Sequence, residues 1–257
     1  MKSSASHNVL AKLKVLVVDD HEINREFLRA GLGRLVRSVS LATSGSEAIA
    51  LCQAHDFDVI LMDLHMPQMD GLATADRIRD LDTVSSSARM IILTADTRPE
   101  EKIRLLDAGF DGYLNKPVSI HDLATAIEAV LRPGSGGISG AGRTDGTIRL
   151  VDTRKALSAA NQDDKLVRQL TAMLVTELEQ GLPRLDQMLT DGRFEQASSL
   201  LHQWAGAAGY AGASRFGQAC RSLRRCLVLG LDSSPGTAYL DFLRVTHATH
   251  QALKQAR

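Results

Sequence analysis

The residues best suited to chemistry in the first half of the sequence are polar side chains that follow short apolar runs. Asp19 and Asp20 follow KVLVV, Asp63 follows DVILM, Thr94 follows RMIIL, and Lys116 follows GYL after one asparagine. Ligands bind at the carboxyl ends of the strands in open parallel sheets, because all the strands end at the same edge. If the apolar runs are parallel strands, three acids, one hydroxyl and one amine converge on one edge of the sheet.

This set of side chains is suited to a metal ion and a phosphoryl group. Three neighbouring carboxylates repel one another unless a cation neutralises them, and an all-oxygen set without histidine or cysteine suits Mg²⁺. The ammonium of Lys116 and the hydroxyl of Thr94 match the oxygens of a phosphoryl group. The sequence lacks the pattern GxxxxGK[ST], which argues against a P-loop nucleotidase. Each acid alone is more often a helix cap or a turn residue, so the prediction depends on the whole set.

The spacing of the apolar runs predicts the fold that would position this set. The runs lie at 14–18, 38–42, 58–62, 89–93 and 112–114, and helical patterns follow them near 22–34, 45–55, 71–80, 98–108 and 119–131. Strands that are apolar on both faces and separated by helices form a parallel sheet covered on both sides. We therefore expect a five-stranded, doubly wound α/β domain over residues 12–132.

A glycine- and serine-rich stretch, RPGSGGISGAGRTDG, divides the chain. Residues 133–148 are predicted to form a flexible linker, and the alternative is a long surface loop within one domain. Beyond it the sequence has helical spacing only, near 152–160, 163–190, 193–209, 214–229 and 235–255. This pattern predicts an all-α antiparallel four-helix bundle with a short leading helix over residues 149–257.

One helix of this bundle carries a histidine among small residues, in LHQWAGAAGY. At about 100° per residue, His202 lies well off the predicted core stripe, which consists of Ala197, Leu200, Leu201, Trp204 and Ala208. The face of His202 carries small residues, namely Ser198, Ser199, Ala205, Gly206 and Gly209. An ordinary solvated face would carry lysine, glutamate and arginine instead. The small face either packs closely against another helix or leaves His202 open to a partner, and the spacing permits both.

Composition limits the partners and the cellular location. The 257 residues carry 30 basic and 30 acidic side chains, so no net charge attracts nucleic acid or an anionic membrane. Cys52, Cys220 and Cys226 lack metal-ligand spacing and are typical of reduced thiols in a cytosolic protein. The first residues lack the apolar core of a signal peptide, and no apolar run approaches the roughly 18 residues of a membrane span. We expect a cytoplasmic protein that binds no nucleic acid and does not insert into a membrane.

Four motifs in the first half resemble, in order and spacing, the signatures of the response-regulator receiver domain, which has a flavodoxin-like fold. The motifs are VLVVDDHEINR, DVILMDLHMPQMDGL, IILTAD and DGYLNKP, and the resemblance extends over residues 12–132. It implies that Asp63 is the phosphoacceptor and that Thr94 and Lys116 contact the phosphoryl oxygens. It also implies a cis peptide bond between Lys116 and Pro117, since X-Pro is the common place for one.

The same resemblance implies a metal site and a switch. Asp20 and Asp63 would bind Mg²⁺ directly, Asp19 would act largely through water, and the backbone carbonyl of His65 would complete the protein ligands. Tyr113 matches the aromatic position that turns inward when the threonine is drawn to the phosphoryl group.

The stretch LLHQWAGAAGYAGASRFGQACRSL resembles the histidine phosphotransfer (HPt) domain, in which a glycine follows the histidine by four residues. The resemblance implies that His202 is a nucleophile that carries a phosphoryl group on one ring nitrogen. Two positions depart from the family pattern, because Ala205 replaces a lysine and Trp204 replaces a leucine. The missing lysine affects how the phosphoryl group is held, and Arg215 or Arg221 is a candidate to replace it.

Together the resemblances imply a phosphorelay signalling protein rather than an enzyme with a separate substrate. The receiver would catalyse only its own phosphorylation and dephosphorylation. Phosphate would pass from the histidine of a sensor or hybrid kinase to Asp63, then to His202, then to the receiver aspartate of a downstream regulator. A second copy of the chain, joined through the receiver, is another predicted partner.

Three alternatives remain open from the sequence. The HPt-like bundle would instead be a docking or output module without phosphotransfer, an idea motivated by Ala205. A haloacid-dehalogenase-type phosphatase also uses an aspartate and Mg²⁺, but it needs a D-x-D motif where Asp19 and Asp20 are adjacent. The chain would also fit the carboxyl-terminal piece of a hybrid kinase, although its first methionine and short polar leader favour a separate protein.

Overall fold

The chain folds as two units, residues 1–143 and residues 144–257. This computed structural model describes residues 9–95, 105, 108–132, 138–140, 150–229 and 235–255. The division falls within the glycine- and serine-rich segment 133–148.

A parallel β-sheet forms the centre of the first unit. Its strands are β1 (Lys14–Val18), β2 (Ser38–Ala42), β3 (Val59–Asp63), β4 (Arg89–Thr94), β5 (Gly112–Asn115) and β6 (Ile138–Gly140). They pair in the order β2-β1-β3-β4-β5-β6, and every pair is parallel. All residues of β3 are buried, as expected for a strand covered on both faces. The predicted five-stranded parallel sheet is confirmed in β1 to β5.

The sixth strand departs from the predicted linker. Ile138 pairs with Gly112 and Gly140 pairs with Leu114, so part of the segment 133–148 extends the sheet. Without β6, β5 would be an edge strand, and the unpaired backbone groups of an edge accept another strand whatever its side chains. Composition therefore gave no signal for this pairing. The remaining residues of that segment lie outside the described part of the chain.

Four helices connect these strands in the described part of the first unit. They are α1 (Glu22–Leu32), α2 (Gly45–Ala54), α3 (Gly71–Arg79) and α4 (Ile120–Val130), and a short 3₁₀ turn, Val84–Ser87, precedes β4. The last three of these helices begin at side chains that accept a backbone hydrogen bond, Ser44, Asp70 and Ser119. The helical pattern near 98–108 falls almost entirely on residues outside the described set.

The second unit is helical. Its elements are α5 (Thr153–Ala159), α6 (Asp164–Thr190), α7 (Phe194–Tyr210), α8 (Ser214–Leu229) and α9 (Pro235–Gln255). The helices α6 and α8 each contact both α7 and α9, which closes the four-helix bundle, and α5 is the short leading helix. In the part of the chain that the structure describes, no helix combines the length and the apolar character needed to cross a membrane.

Trp204 is the centre of the bundle core. Its side chain is fully buried, and its ring lies 6.0 Å from that of Phe216 and 6.3 Å from that of Phe242, nearly parallel to the latter. Its indole Nε1 donates a hydrogen bond of 2.8 Å to Oε1 of Glu177 on α6. A Cβ on Gly181 would lie only 2.4 Å from Cζ2 of this ring, so the glycine makes room for the indole. This packing fixes the rotation of α7, the helix that carries His202.

Candidate functional site

The carboxyl edge of the sheet assembles the polar residues that the sequence placed after the strands. Asp19 directly follows β1, and Lys116 directly follows β5. Asp63 is the last residue of β3, and Thr94 is the last residue of β4. The strands β1, β3, β4 and β5 are consecutive neighbours in the sheet. The side chains therefore meet because four adjacent parallel strands end at one level.

Lys116 joins two of the acids. Its Nζ lies 2.7 Å from Oδ2 of Asp19 and 2.8 Å from Oδ2 of Asp63. The side chains of Lys116, Asp19 and Asp63 are only 3%, 0% and 4% exposed, respectively. Buried charges are tolerated when they are paired and hydrogen-bonded, so each of these three groups depends on the others.

Helix α1 and the residues before it hold Asp19 in place. The side chain of Asn24 donates from Nδ2 to both carboxylate oxygens of Asp19, at 3.0 and 3.1 Å. The backbone N–H of His21 donates to Oδ1 of Asp19 at 2.9 Å, and Nη1 of Arg25 donates to its backbone carbonyl at 2.7 Å. Asn24 and Arg25 are thus positioning residues that the apolar runs gave no means of predicting, although both lie within the motif VLVVDDHEINR.

The pocket contains more acidic groups than basic groups. The pKa of Asp63 is raised to about 7, chiefly because the carboxyl is buried; Lys116 opposes this shift, and the charges of Asp19 and Asp20 add to it. Oxygen atoms of Asp19, Asp20 and Asp63 lie within 4.8 Å of one another. Three carboxylates with one ammonium leave room for a cation, and an all-oxygen donor set fits Mg²⁺. His65 lies beside this cluster, and its backbone N–H reaches Oδ1 of Asp63 over a long 3.4 Å.

A glycine behind Asp63 allows the next helix to approach the pocket. The backbone N–H of Gly71 donates to the carbonyl of Leu64 at 2.9 Å. A Cβ on Gly71 would lie 2.4 Å from the backbone oxygen of Asp63, so any larger residue would displace the phosphoacceptor strand or α3. Asp70 caps α3 by accepting from the N–H of Ala73 at 2.8 Å. In the sequence, the adjacent Asp70 and Gly71 within DVILMDLHMPQMDGL mark this capped and closely packed start of α3.

The remaining predicted residues lie around the pocket. Thr94 is 1% exposed at the end of β4, and the N–H of Lys116 donates to its carbonyl at 2.7 Å. Tyr113 is buried in the apolar core cluster together with Met66 and Phe110, so its ring is turned inward. The peptide bond Lys116–Pro117 is cis, as expected from the resemblance.

His202 lies in the middle of α7, far from either end of the helix. It is partly exposed, whereas Ala197, Leu201, Trp204 and Ala208 of the core stripe are fully buried. Of the small residues on its face, Ser198 and Gly209 are partly exposed and Ser199 is exposed. His202 therefore lies off the core face of α7 and is not fully covered by the bundle.

Part of the small face has another use. Ala205 is only 6% exposed and Gly206 is buried. A Cβ on Gly217 of α8 would lie 3.2 Å from the carbonyl oxygen of Ala205 and 3.3 Å from Cβ of Ala208. Close packing of α8 therefore accounts for the small residue at Ala205, which is one of the two explanations that the sequence left open for this face. Ser198, Ser199 and Gly209 on the same face remain at least partly exposed.

Comparison with known proteins gives two family matches. The response regulator receiver domain matches residues 15–128 and the Hpt domain matches residues 169–256. The signal transduction histidine-protein kinase BarA of Escherichia coli strain K12 is 30% identical over 228 residues, which are 85% of this chain and 24% of BarA. The virulence sensor protein BvgS of Bordetella bronchiseptica is 31% identical over 206 residues, which are 76% of this chain and 17% of BvgS. The chain thus spans about a quarter or less of the length of these two relatives.

A third relative is similar over most of its own length. The response regulator MprA of Mycolicibacterium vanbaalenii is 32% identical over 178 residues, which are 67% of this chain and 76% of MprA. The receiver match covers nearly all of β1 to β5 and the pocket around Asp63, and the Hpt match covers the helix of His202. The chain therefore belongs to the response-regulator receiver family of two-component signalling, with a histidine phosphotransfer domain following the receiver.

Proposed function

We propose that this chain is a phosphorelay protein with two phosphoacceptors, Asp63 and His202. The observation that carries the proposal is the buried contact of Lys116 with both Asp19 and Asp63, beside a third carboxylate. A pocket of this composition is suited to neutralise and orient a phosphoryl group. The protein would therefore act by passing phosphate on, and the receiver would catalyse only its own phosphorylation and dephosphorylation.

The first transfer takes place at Asp63. One carboxylate oxygen attacks the phosphorus of a kinase phosphohistidine, an O–P bond forms, and the N–P bond to the donor imidazole breaks. Lys116 stabilises the negative charge of the transferring group, and the hydroxyl of Thr94 donates to one of its oxygens. Asp20 and Asp63 would hold Mg²⁺, with Asp19 and the carbonyl of His65 completing the set. When bound, the ion supplies positive charge next to the phosphoryl oxygens. Thr94 and Tyr113 would report the phosphorylated state as the switch pair.

The second transfer takes place at His202. A neutral ring nitrogen attacks the phosphorus of an aspartyl phosphate, an N–P bond forms, and the donor carboxylate leaves as an anion. The other ring nitrogen keeps its proton, so no metal is needed on the histidine side. The partial exposure of His202 supports this step, because a receiver pocket must close over the ring.

The proposed partners follow from these steps. A sensor or hybrid histidine kinase would donate phosphate to Asp63, and the receiver of a downstream regulator would accept it from His202. The similarity to a protein named as a histidine-protein kinase supports a partner of that class. The cytoplasm, where such partners meet, is the proposed location.

Labelling with phosphate tests the order of transfer. A panel of sensor kinases from the same genome is incubated with radiolabelled ATP and the wild-type, Asp63→Asn or His202→Gln chain. We expect label on both residues of the wild type, on Asp63 alone in His202→Gln, and on neither residue in Asp63→Asn. Full labelling of His202 in Asp63→Asn by the same kinase would show that the relay through Asp63 is wrong.

Ala205 supports a second candidate function, in which the bundle is a docking or output module without phosphotransfer. In that case the wild-type chain would carry label only on Asp63. Acid-labile, base-stable phosphate on His202 of the wild-type chain would exclude this candidate, because a phosphohistidine has those stabilities and an aspartyl phosphate does not.

A further inference from the structure

Position 205 leaves the second site short of a positive charge. The HPt pattern places a lysine three residues after the histidine, and this chain has Ala205 there, 6% exposed. A phosphoryl group on His202 carries negative charge that is best stabilised by a charged hydrogen-bond donor. The helix α7 itself offers no cation within one turn of His202.

Helix α8 runs antiparallel to α7 in a defined register. Gly217 packs against Ala205, and seven residues later Nε of Arg224 donates a 3.2 Å hydrogen bond to Oγ of Ser198. On α7, His202 lies between Ser198 and Ala205. Residues 218–223 of α8 lie between the two contacts, and in this register Cys220 is level with His202, so Arg221 lies one residue beyond that level.

The side chain of Arg221 extends back toward Ala205. Its Nη1 lies 3.5 Å from the point that a Cβ on Gly217 would occupy, and the carbonyl oxygen of Ala205 lies 3.2 Å from the same point. Arg221 as a whole residue is exposed. Its guanidinium is nevertheless partly buried, and this burial lowers the pKa of the guanidinium from the ordinary value. The guanidinium thus occupies space next to the position where the family has its lysine.

The rotation of the two helices places Arg221 on the side of His202. His202 lies about 60° around α7 from Ala205, and Arg221 lies about 40° around α8 from Gly217. Because both helices are right-handed and run antiparallel, both rotations lead to the same side of the pair. Arg215, the other arginine that the sequence singled out, lies about 160° from Gly217 and faces away from α7.

We infer that Arg221 contacts the phosphoryl group on His202 and replaces the lysine that Ala205 lacks. This inference rests on the proposed function of His202 as a phosphoacceptor. During transfer the guanidinium donates to the phosphoryl oxygens while the N–P bond forms and the bond to the leaving group breaks. The planar fork of an arginine can donate two parallel hydrogen bonds to those oxygens, a geometry that the single ammonium of a lysine lacks. Arg224 donates to Ser198 on the same pair of helices.

Phosphoramidate, a small N–P donor that loses ammonia on transfer, allows His202 to be tested alone. The full chain with Asp63→Asn serves as the parent, so that only His202 accepts phosphate. Formation and hydrolysis of phosphohistidine are followed in the parent and after adding Arg221→Gln, Arg215→Gln or His202→Gln. We expect Arg221→Gln to slow formation by about tenfold or more, since a charge-assisted hydrogen bond is lost. Arg215→Gln should match the parent, and His202→Gln should form none.

Restoring the family residue gives the decisive variant. Adding Ala205→Lys to Arg221→Gln should recover most of the rate, because the new ammonium enters the space that the guanidinium leaves. Unchanged fluorescence of Trp204, the only tryptophan, checks that the bundle remains folded in each variant. Equal rates for the parent and Arg221→Gln, or equal losses in Arg221→Gln and Arg215→Gln, would overturn the role of Arg221 while leaving the proposed function intact. Absence of phosphohistidine in the parent would instead overturn the proposed function, and the inference with it.

Discussion

The pocket around Asp63 and the helix around His202 position their reactive groups by different physical means. Asp63 is buried among polar groups at the ends of four strands, three of which contribute charges, and its partner Lys116 is itself buried. His202 is a partly exposed side chain on one helix, and the rotation of that helix is fixed by apolar packing around Trp204. The first site is built by charge compensation and the second by shape. The two sites should therefore fail in response to different substitutions.

Removal of the lysine tests the first half of this comparison and should have the largest effect. In Lys116→Met, the buried carboxylates of Asp19 and Asp63 lose their common partner, and breaking a buried ion pair costs about 3–5 kcal/mol. Hydrogen exchange of β1 and β3 in the full chain measures the loss, while exchange in α6 to α9 should stay unchanged. Lys12→Met, at an exposed position of the same unit, is the matched control. Mg²⁺ should restore part of the lost stability in Lys116→Met. If both lysine variants exchange alike, charge compensation does not hold the pocket together.

The difference between the sites also determines what the sequence could predict. Strand ends in a parallel sheet meet at one edge whatever their neighbours are, so the positions of Asp63, Thr94 and Lys116 followed from the apolar runs. The orientation of Asp19 did not, because it depends on the side chain of Asn24 five residues away. The strand β6 was also missed, since its pairing uses only backbone groups.

For α7 the sequence predicted which residues face the core but not what covers the other faces. The helical repeat correctly separated Trp204 from His202. It placed Ala205 on the face of His202 and could not show that Gly217 of α8 packs against this alanine. A helical wheel gives an angle relative to the core and contains no information about the position of the next helix.

A substitution that changes the packing around Trp204 tests whether shape positions α7, which is the second half of the comparison. In Gly181→Ala, the new Cβ would lie 2.4 Å from Cζ2 of Trp204, so the indole or α6 must move. Overpacking of this kind costs about 1–3 kcal/mol, and the displaced indole should emit at longer wavelength. Denaturant unfolding followed by Trp204 fluorescence measures both effects. Gln180→Ala, an exposed neighbour on the same helix, should change neither. A stable Gly181→Ala chain with unaltered emission would mean that the core of α7 tolerates a change of shape.

The smallest expected effect comes from the polar contact between α7 and α8. Ser198→Ala removes the acceptor of the 3.2 Å hydrogen bond from Nε of Arg224, and such a bond contributes about 0.5–1.5 kcal/mol. If packing of Gly217 against Ala205 already sets the register of α8, this loss should lower the free energy of unfolding without changing phosphorylation of His202. Ser199→Ala, at the adjacent exposed position, is the control for the loss of a hydroxyl. Denaturant unfolding and phosphoramidate labelling are measured on the same variants. A slower phosphorylation in Ser198→Ala than in Ser199→Ala would show that a single hydrogen bond, and not shape alone, aligns Arg221 with His202.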